Sequence, residues 1–409
     1  MHSVNWKNFM TDMGLSYESV RMMCQWLIPK LCKPSMALAR NSTRDKPLHD
    51  QRRRIWSGAF GDRNLRDYEK RMVQYRALLV KAIDKSENQP IDMAKWFNLY
   101  TFDVMGDLAF GASFNMLETS KEHEAIRLLN SGLTPLAYML PMWFFRFMTA
   151  IPGMARDWWR FRSYSTSQME KRIKMKPNTP DIMSSLLKHS GDQTPTGLDR
   201  TLLEGDSQLI VVAGSDTTSA TLTHIFRFLV EQPQHLNILR SEVENLPRTE
   251  LGDYQPPDLS ELKHLNGVIN ESLRLYPPVP SALYRLTPPE GLTIDGTFIP
   301  GNTNVYSPQY VLGRNPECYS KPDEFIPERW YSRPDLMQDA SGFAPFSAGP
   351  YGCIGRPLAL LNIRATVARI VVDYDVRLAP GMSLDQFDQR LTEHFTLAPA
   401  PLSLCFNKL

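Results

Sequence analysis

The sequence predicts a mainly α-helical single domain with a small β region towards its C-terminus. Three observations carry that reading. Long stretches repeat their apolar residues with the period of a helix. Strand signals are short and lie after residue 290. No internal repeat or low-complexity linker divides the 409 residues, so residues 1–409 read as one unit although the length alone would allow two or three domains. At 42% hydrophobic and 22% charged residues, the composition is that of an ordinary globular protein.

Each element follows from its local pattern. Over residues 92–110, Met93, Trp96, Phe97, Tyr100, Val104, Met105 and Leu108 form a helical stripe that stops at Gly111. The stretch 133–152 is apolar and rich in aromatic residues but contains Pro135, Pro141 and Arg146. It reads as an amphipathic segment or core, and a bilayer span is not expected. Residues 202–230 form one long helix, apolar on nearly every side through its middle and therefore buried. A further helix over 259–276 is stopped by Pro277 and Pro278. Strands are expected at 292–299, around an Asp295-Gly296 turn, at 304–306, and in the tail after Phe395. Prolines punctuate a loop region from 316 to 350, and the last apolar helix covers 358–374.

Charge and cysteine usage exclude several function classes. The 46 basic and 44 acidic side chains leave a net charge of +2, which gives no reason to expect nucleic acid as a partner. Five cysteines, Cys24, Cys32, Cys318, Cys353 and Cys405, are widely spread and form no Cys-x-x-Cys pair. Reduced thiols are the default for such a chain. Residues 1–30 carry Lys7, Asp12, Glu18, Arg21 and Lys30 and show neither a signal peptide nor an anchor.

The sharpest local signal is Phe346-Ser347-Ala348-Gly349-Pro350-Tyr351-Gly352-Cys353-Ile354-Gly355. Three glycines within seven positions let the backbone turn tightly and approach a flat ligand. Cys353 stands directly before an apolar helix, where amide donors and the positive helix end favour thiolate. A lone cysteine in a Gly/Pro turn is ordinarily structural. Here the loop resembles the haem loop of the cytochrome P450 family, Phe-x-x-Gly-x-Arg-x-Cys-x-Gly, at Phe346, Gly349, Cys353 and Gly355. It departs at Tyr351, where the family usually has a basic residue paired with a haem propionate. That exchange removes a charge-assisted hydrogen bond of ~1.5–3 kcal/mol, although the Tyr351 hydroxyl can still donate a neutral one.

A second motif lies upstream. Ala213-Gly214-Ser215-Asp216-Thr217-Thr218 places a glycine and an acid in the most apolar helix of the chain, two costly choices side by side. It resembles the family's acid–alcohol motif. By that resemblance Gly214 makes room beside the haem, Thr217 hydrogen-bonds bound dioxygen, and Asp216 feeds protons through water. The plain alternative is a helix whose Ser and Thr side chains bond back to its own carbonyls.

Two further sets complete the resemblance, which runs from about Leu48 to the C-terminus with its motifs in order. Glu271 and Arg274 share one helix face, and Pro327-Glu328-Arg329-Trp330 resembles the segment whose arginine completes a buried cluster with them. His49 and Arg53, one helical turn apart, and Arg285 match residues that hold haem propionates. Arg52 and Arg54 read as a solvated helix start or a face for an acidic reductase. Residues 1–40 match the family poorly, so the chain is expected to be N-terminally short.

The resemblance implies a monooxygenase that binds haem b through Cys353, receives NADPH electrons from a cytochrome P450 reductase, and oxygenates a small lipophilic substrate. Residues 96–107 look most like fungal members, which favours secondary-metabolite biosynthesis. It also implies the surface of the endoplasmic reticulum, with peripheral membrane contact; because these residues show no anchor, a cytoplasmic location stays open as the alternative. An electron-independent haem-thiolate isomerase or dehydratase and a non-catalytic truncated relative stay open as alternatives.

Overall fold

The computed structural model describes residues 46–124, 126–128, 151, 153, 156–175, 180–187, 197–281 and 284–409. Residues 1–40, with Cys24 and Cys32, and all but one residue of the apolar stretch 133–152 lie outside the described residues.

Eight longer helices carry the described structure: α1 Lys46–Ser57, α2 Asp62–Asp84, α3 Met93–Phe110, α4 Arg156–Lys174, α5 Gly197–Glu231, α6 Gln234–Val243, α7 Lys263–Leu275 and α8 Arg356–Asp373. The strands are β1 Ile91–Asp92, β2 Arg285–Leu286, β3 Leu292–Ile294, β4 Thr297–Ile299, β5 Asn304–Val305, β6 Tyr374–Leu378, β7 Thr392–His394, β8 Thr396–Ala398 and β9 Ser403–Lys408.

The ends of α3 follow from its sequence. The Asp92 carboxylate accepts from the Lys95 amide, and Gly111 closes the helix in the left-handed region at φ 68°. The helix expected over 259–276 is split. A short turn, Pro256–Ser260, is followed by α7, whose free first amides at His264 and Leu265 donate to the Glu242 carboxylate at 2.8 and 2.9 Å. An acid brought in from α6 thus restarts the helix, which local sequence could not announce.

Helix α5 has 35 residues, about 50 Å of rise, and packs against the 18-residue α3. Phe97, Tyr100 and Phe102 of α3 and Leu222, Phe226 and Leu229 of α5 are all buried. The rings of Phe97 and Phe226 are 5.4 Å apart. Helix α8 completes this layer with Val367, Ala368 and Val371. A buried polar network ties α2, α3 and α8 together. Arg76 pairs with Glu69 and Asp253, while the Tyr100 hydroxyl bonds Asn362 and sits 3.2 Å from Thr366 Oγ1.

The strands stay small. Antiparallel β1-β9-β6 forms one sheet, with Val376 opposite Phe406. Strands β3 and β4 form the expected hairpin, Asp295 and Gly296 both taking positive φ at its tip. Strand β2 pairs with β5, and β7 with β8. Among the described residues no helix is long and apolar enough to cross a membrane.

Candidate functional site

The cysteine loop closes on itself before entering α8. The Cys353 amide donates to the Phe346 carbonyl at 2.7 Å, and the Gly352 amide to the Gly349 carbonyl at 3.0 Å. Gly349 sits at φ 67°, where a side chain would be strained, and an added Cβ there would meet nothing within 4 Å. Arg356 lies over the Phe346 ring at 5.6 Å. At Gly355, a Cβ would make only ordinary contacts, 3.9 Å from the Cys353 sulfur and 4.0 Å from the Phe60 ring.

Cys353 is exposed to the space over the loop, yet its surroundings are dense enough for burial to dominate its ionisation. Burial pushes the thiol up from its ordinary value. Amide donors at Gly355 and Arg356, with the positive charges of Arg53 and Arg356, pull it the other way. Protein groups alone therefore do not make the thiolate that the sequence led one to expect. Coordination to a metal would, because a bound cation displaces the thiol proton outright.

Arg53 reaches the loop directly, donating to the Gly352 carbonyl at 2.6 Å. His49, one turn earlier on α1, is 2% exposed and lies against the Tyr351 ring, centroids 4.3 Å apart. The Arg285 guanidinium stands 5.1 Å from that same ring. The three side chains proposed from sequence, His49, Arg53 and Arg285, thus gather around the one position that departs from the motif.

Arg52 corrects the sequence reading. It is neither solvated nor available to a partner: it is buried and pairs with Asp206 of α5, which is fully buried. Arg54 is exposed.

Helix α5 opens a single face. Leu209, Val212, Asp216 and Thr217 are half-buried and Ala213 is exposed, while Ile210, Val211, Ser215, Thr218 and Ser219 are buried. Positions 209, 212, 213, 216 and 217 recur at helical spacing, so they form one stripe along the middle of the helix. Leu209 and Val212 were not singled out from sequence, because an apolar residue in an apolar helix carries no local signal. Burial pushes the Asp216 carboxyl up to about 7, with the charge of Glu122 adding to the rise.

Two members of that motif behave differently from the expectation. Thr217 donates its hydroxyl to the Ala213 carbonyl at 2.8 Å, the back-bonded arrangement of the plain alternative, and the helix continues unbroken. Its lone pairs remain as acceptors. Gly214 points at α3, and a Cβ there would lie 2.6 Å from Met105 Cε. Its smallness lets α3 and α5 approach, and the room it makes is already filled by Met105.

On α7, Glu271 is wholly enclosed by donors. Arg274 binds it through two bonds of 2.7 and 2.9 Å, Arg329 Nε at 3.0 Å, the Ile326 amide at 3.0 Å and Trp330 Nε1 at 2.9 Å. The Glu271, Arg274 and Arg329 side chains are fully buried. Arg329 also donates to the carbonyls of Ser320 and Leu336, and Arg274 to that of Glu324, so the loop backbone from 313 to 336 is strung on two guanidiniums. Trp330 is a member that the sequence had placed only as a neighbour.

A family model described as Cytochrome P450 matches residues 39–406. A tryprostatin B 6-hydroxylase of Aspergillus fumigatus is 45% identical over 89% of this chain, which spans 65% of that relative's length. The cytochrome P450 monooxygenase notG' of Aspergillus versicolor is 43% identical over 87% of the chain, spanning 66% of its own length. For the cytochrome P450 monooxygenase sthD of Phaeosphaeria nodorum the identity is 40%, over 90% of this chain and 78% of the relative. Among solved structures, the haem domain of cytochrome P450DA superposes with a TM-score of 0.76 at 19% identity, covering 95% of this chain and 83% of that one.

Proposed function

The chain belongs to the cytochrome P450 family, and on that premise we propose that it is a haem-thiolate monooxygenase in which Cys353 is the iron ligand. The observation that carries this is the setting of the Cys353 sulfur: exposed on its loop, with amide donors from Gly355 and Arg356 and the charge of Arg53 around it. That donor set suits a thiolate bound to iron, and the bare surface of Ala348 and Gly349 beside it suits a flat macrocycle. When bound, the haem supplies the chemistry of dioxygen activation.

The chain's own residues divide the remaining work. Cys353 ligates, and the Gly355 and Arg356 amides hold charge on its sulfur. His49, Arg53 and Arg285 would hold the propionates, with the Tyr351 ring packed against His49 and Arg285. Phe346, Gly349 and Gly355 would leave the loop surface open to the macrocycle. The stripe Leu209, Val212 and Ala213 offers an apolar wall to a lipophilic substrate, and Gly214 sets that wall's distance from α3. Asp216, half-protonated near neutral pH, gives and takes a proton at its carboxyl, and Thr217 presents an acceptor beside it. Glu271, Arg274 and Arg329 keep the loop region in shape.

The relatives' names support a substrate from fungal secondary metabolism and hydroxylation of a C–H bond as the reaction. Electrons would come from NADPH through a cytochrome P450 reductase, at the surface of the endoplasmic reticulum. The presence of both Asp216 and Thr217 favours this reading over an isomerase, which needs no proton delivery to oxygen. The test is the carbon monoxide difference spectrum of the reduced protein. A strongly red-shifted Soret band in the wild type, lost in Cys353→Ala, is the expected result. An unshifted band in both sinks the assignment. NADPH consumption that depends on added reductase then separates oxygenase from isomerase.

A further inference from the structure

On the flank of the fold, away from the open stripe of α5, three residues remote in sequence converge. His235 is the second residue of α6, His264 the second of α7, and Glu328 lies in the turn Pro327–Trp330. His235 Nδ1 and His264 Nε2 are 3.2 Å apart, His235 Nδ1 and Glu328 Oε1 3.9 Å, and one ligand atom from each lies within 4.8 Å of the others. Both imidazoles are buried, at 4% and 2% exposure, and the oxygenase reading gives neither of them a role.

The spacing is that of ligands around one small cation. Bonds of about 2.0–2.1 Å at tetrahedral angles place two donor atoms about 3.3 Å apart, close to the His235–His264 separation. The far nitrogens are also anchored. His235 Nε2 meets Gln232 Oε1 at 3.1 Å, and His264 Nδ1 meets the Tyr331 hydroxyl at 3.0 Å. Gln232 Oε1 can only accept, which puts the His235 proton on Nε2 and turns the Nδ1 lone pair towards His264 and Glu328. Metal-binding histidines are oriented by such outer partners. An open cleft of about 690 Å³, lined by Gln232, His235 and Glu328 among others, gives an entry path and room for a fourth ligand.

We propose that His235, His264 and Glu328 bind one zinc ion, with water from the cleft as the fourth ligand. Two imidazoles and one carboxylate suit zinc better than calcium or magnesium, which prefer oxygen. On binding, the proton on His264 Nε2 moves to Nδ1 and is donated to the Tyr331 hydroxyl, so no proton is released. The ion joins α6, α7 and the turn whose Arg329 and Trp330 hold Glu271. It therefore acts as a staple on the framework of the cysteine loop.

The test uses the full, haem-loaded chain, stripped with a chelator and dialysed against micromolar zinc chloride. Zinc is counted by mass spectrometry and the melting temperature is followed in parallel. One zinc per chain and a melting temperature raised by several degrees are expected for the wild type. In His264→Gln and Glu328→Gln, affinity should fall at least tenfold while haem content stays the same. Wild-type protein that retains no zinc, and melts alike with and without it, overturns the proposal without reference to any variant. Zinc retained equally by the His235→Asn/His264→Gln double variant overturns it too, since the ion would then sit on the thiols.

Discussion

The rings of Tyr351 and His49 lie 4.3 Å apart at an angle of 39°, with the Arg285 guanidinium 5.1 Å from the same Tyr351 ring. Where the family usually has a basic side chain, this chain has an aromatic one that packs against an imidazole and a guanidinium. Aromatic contact and cation–π attraction are each worth about 0.5–2 kcal/mol. Tyr351→Ala should therefore release haem to an apoprotein acceptor roughly tenfold faster, on the scale of about 1.4 kcal/mol. Tyr351→Phe keeps the ring and should stay close to wild type. If Phe loosens haem as much as Ala, the hydroxyl is what matters.

Glu271 accepts from Arg274, Arg329, Trp330 and the Ile326 amide in a site without solvent. Glu271→Ala leaves two buried guanidiniums without their counter-charge, at about 3–5 kcal/mol, and should yield apoprotein or aggregate. Trp330→Phe deletes one donor to a charged group, about 1.5–3 kcal/mol, and should give haem-loaded protein with a lower melting temperature. Soluble, fully loaded Glu271→Ala protein would show that the cluster is dispensable.

The Asp216 carboxyl, raised from 3.8 to about 7, makes stability fall with pH. Between these values the folded chain holds a proton that the unfolded chain has lost. Stability thus declines through that window by up to 1.36 kcal/mol per pH unit and is level above it. Asp216→Asn removes the titration. Denaturation midpoints of the two proteins should agree near pH 4, diverge up to about pH 7 with the variant more stable, and then run parallel. Parallel curves throughout would refute the shift.

The Arg52–Asp206 pair joins α1 to α5 in a buried setting. Arg52→Ala strands the Asp206 carboxylate and should cost about 3–5 kcal/mol in urea unfolding. The double variant Arg52→Met/Asp206→Leu, which removes both charges, should recover most of that loss. A single variant of wild-type stability would mean that the pair contributes nothing.

Much of the fold was legible because its signals are local. The stripe from Met93 to Leu108 with its stop at Gly111, the apolar run centred on residue 213 and the Asp295-Gly296 hairpin are each specified by neighbours in sequence. The motifs around Cys353, Asp216 and Glu271 were legible for a different reason: each places costly residue types at fixed short spacing.

Long-range pairing was not legible. Nothing beside Arg52 announces that Asp206, 154 positions away, will neutralise it, and nothing beside His264 announces Glu242 or His235. Gly214 looks like room for a ligand until α3 arrives and Met105 fills the space. Sequence alone determined α3, α5 and α8, the hairpin and the chemistry that the motifs could perform. Tertiary structure decided which charges were paired, which face of α5 was left open and what stood around Tyr351, because burial and Coulomb energy depend on distance in space and not on separation along the chain.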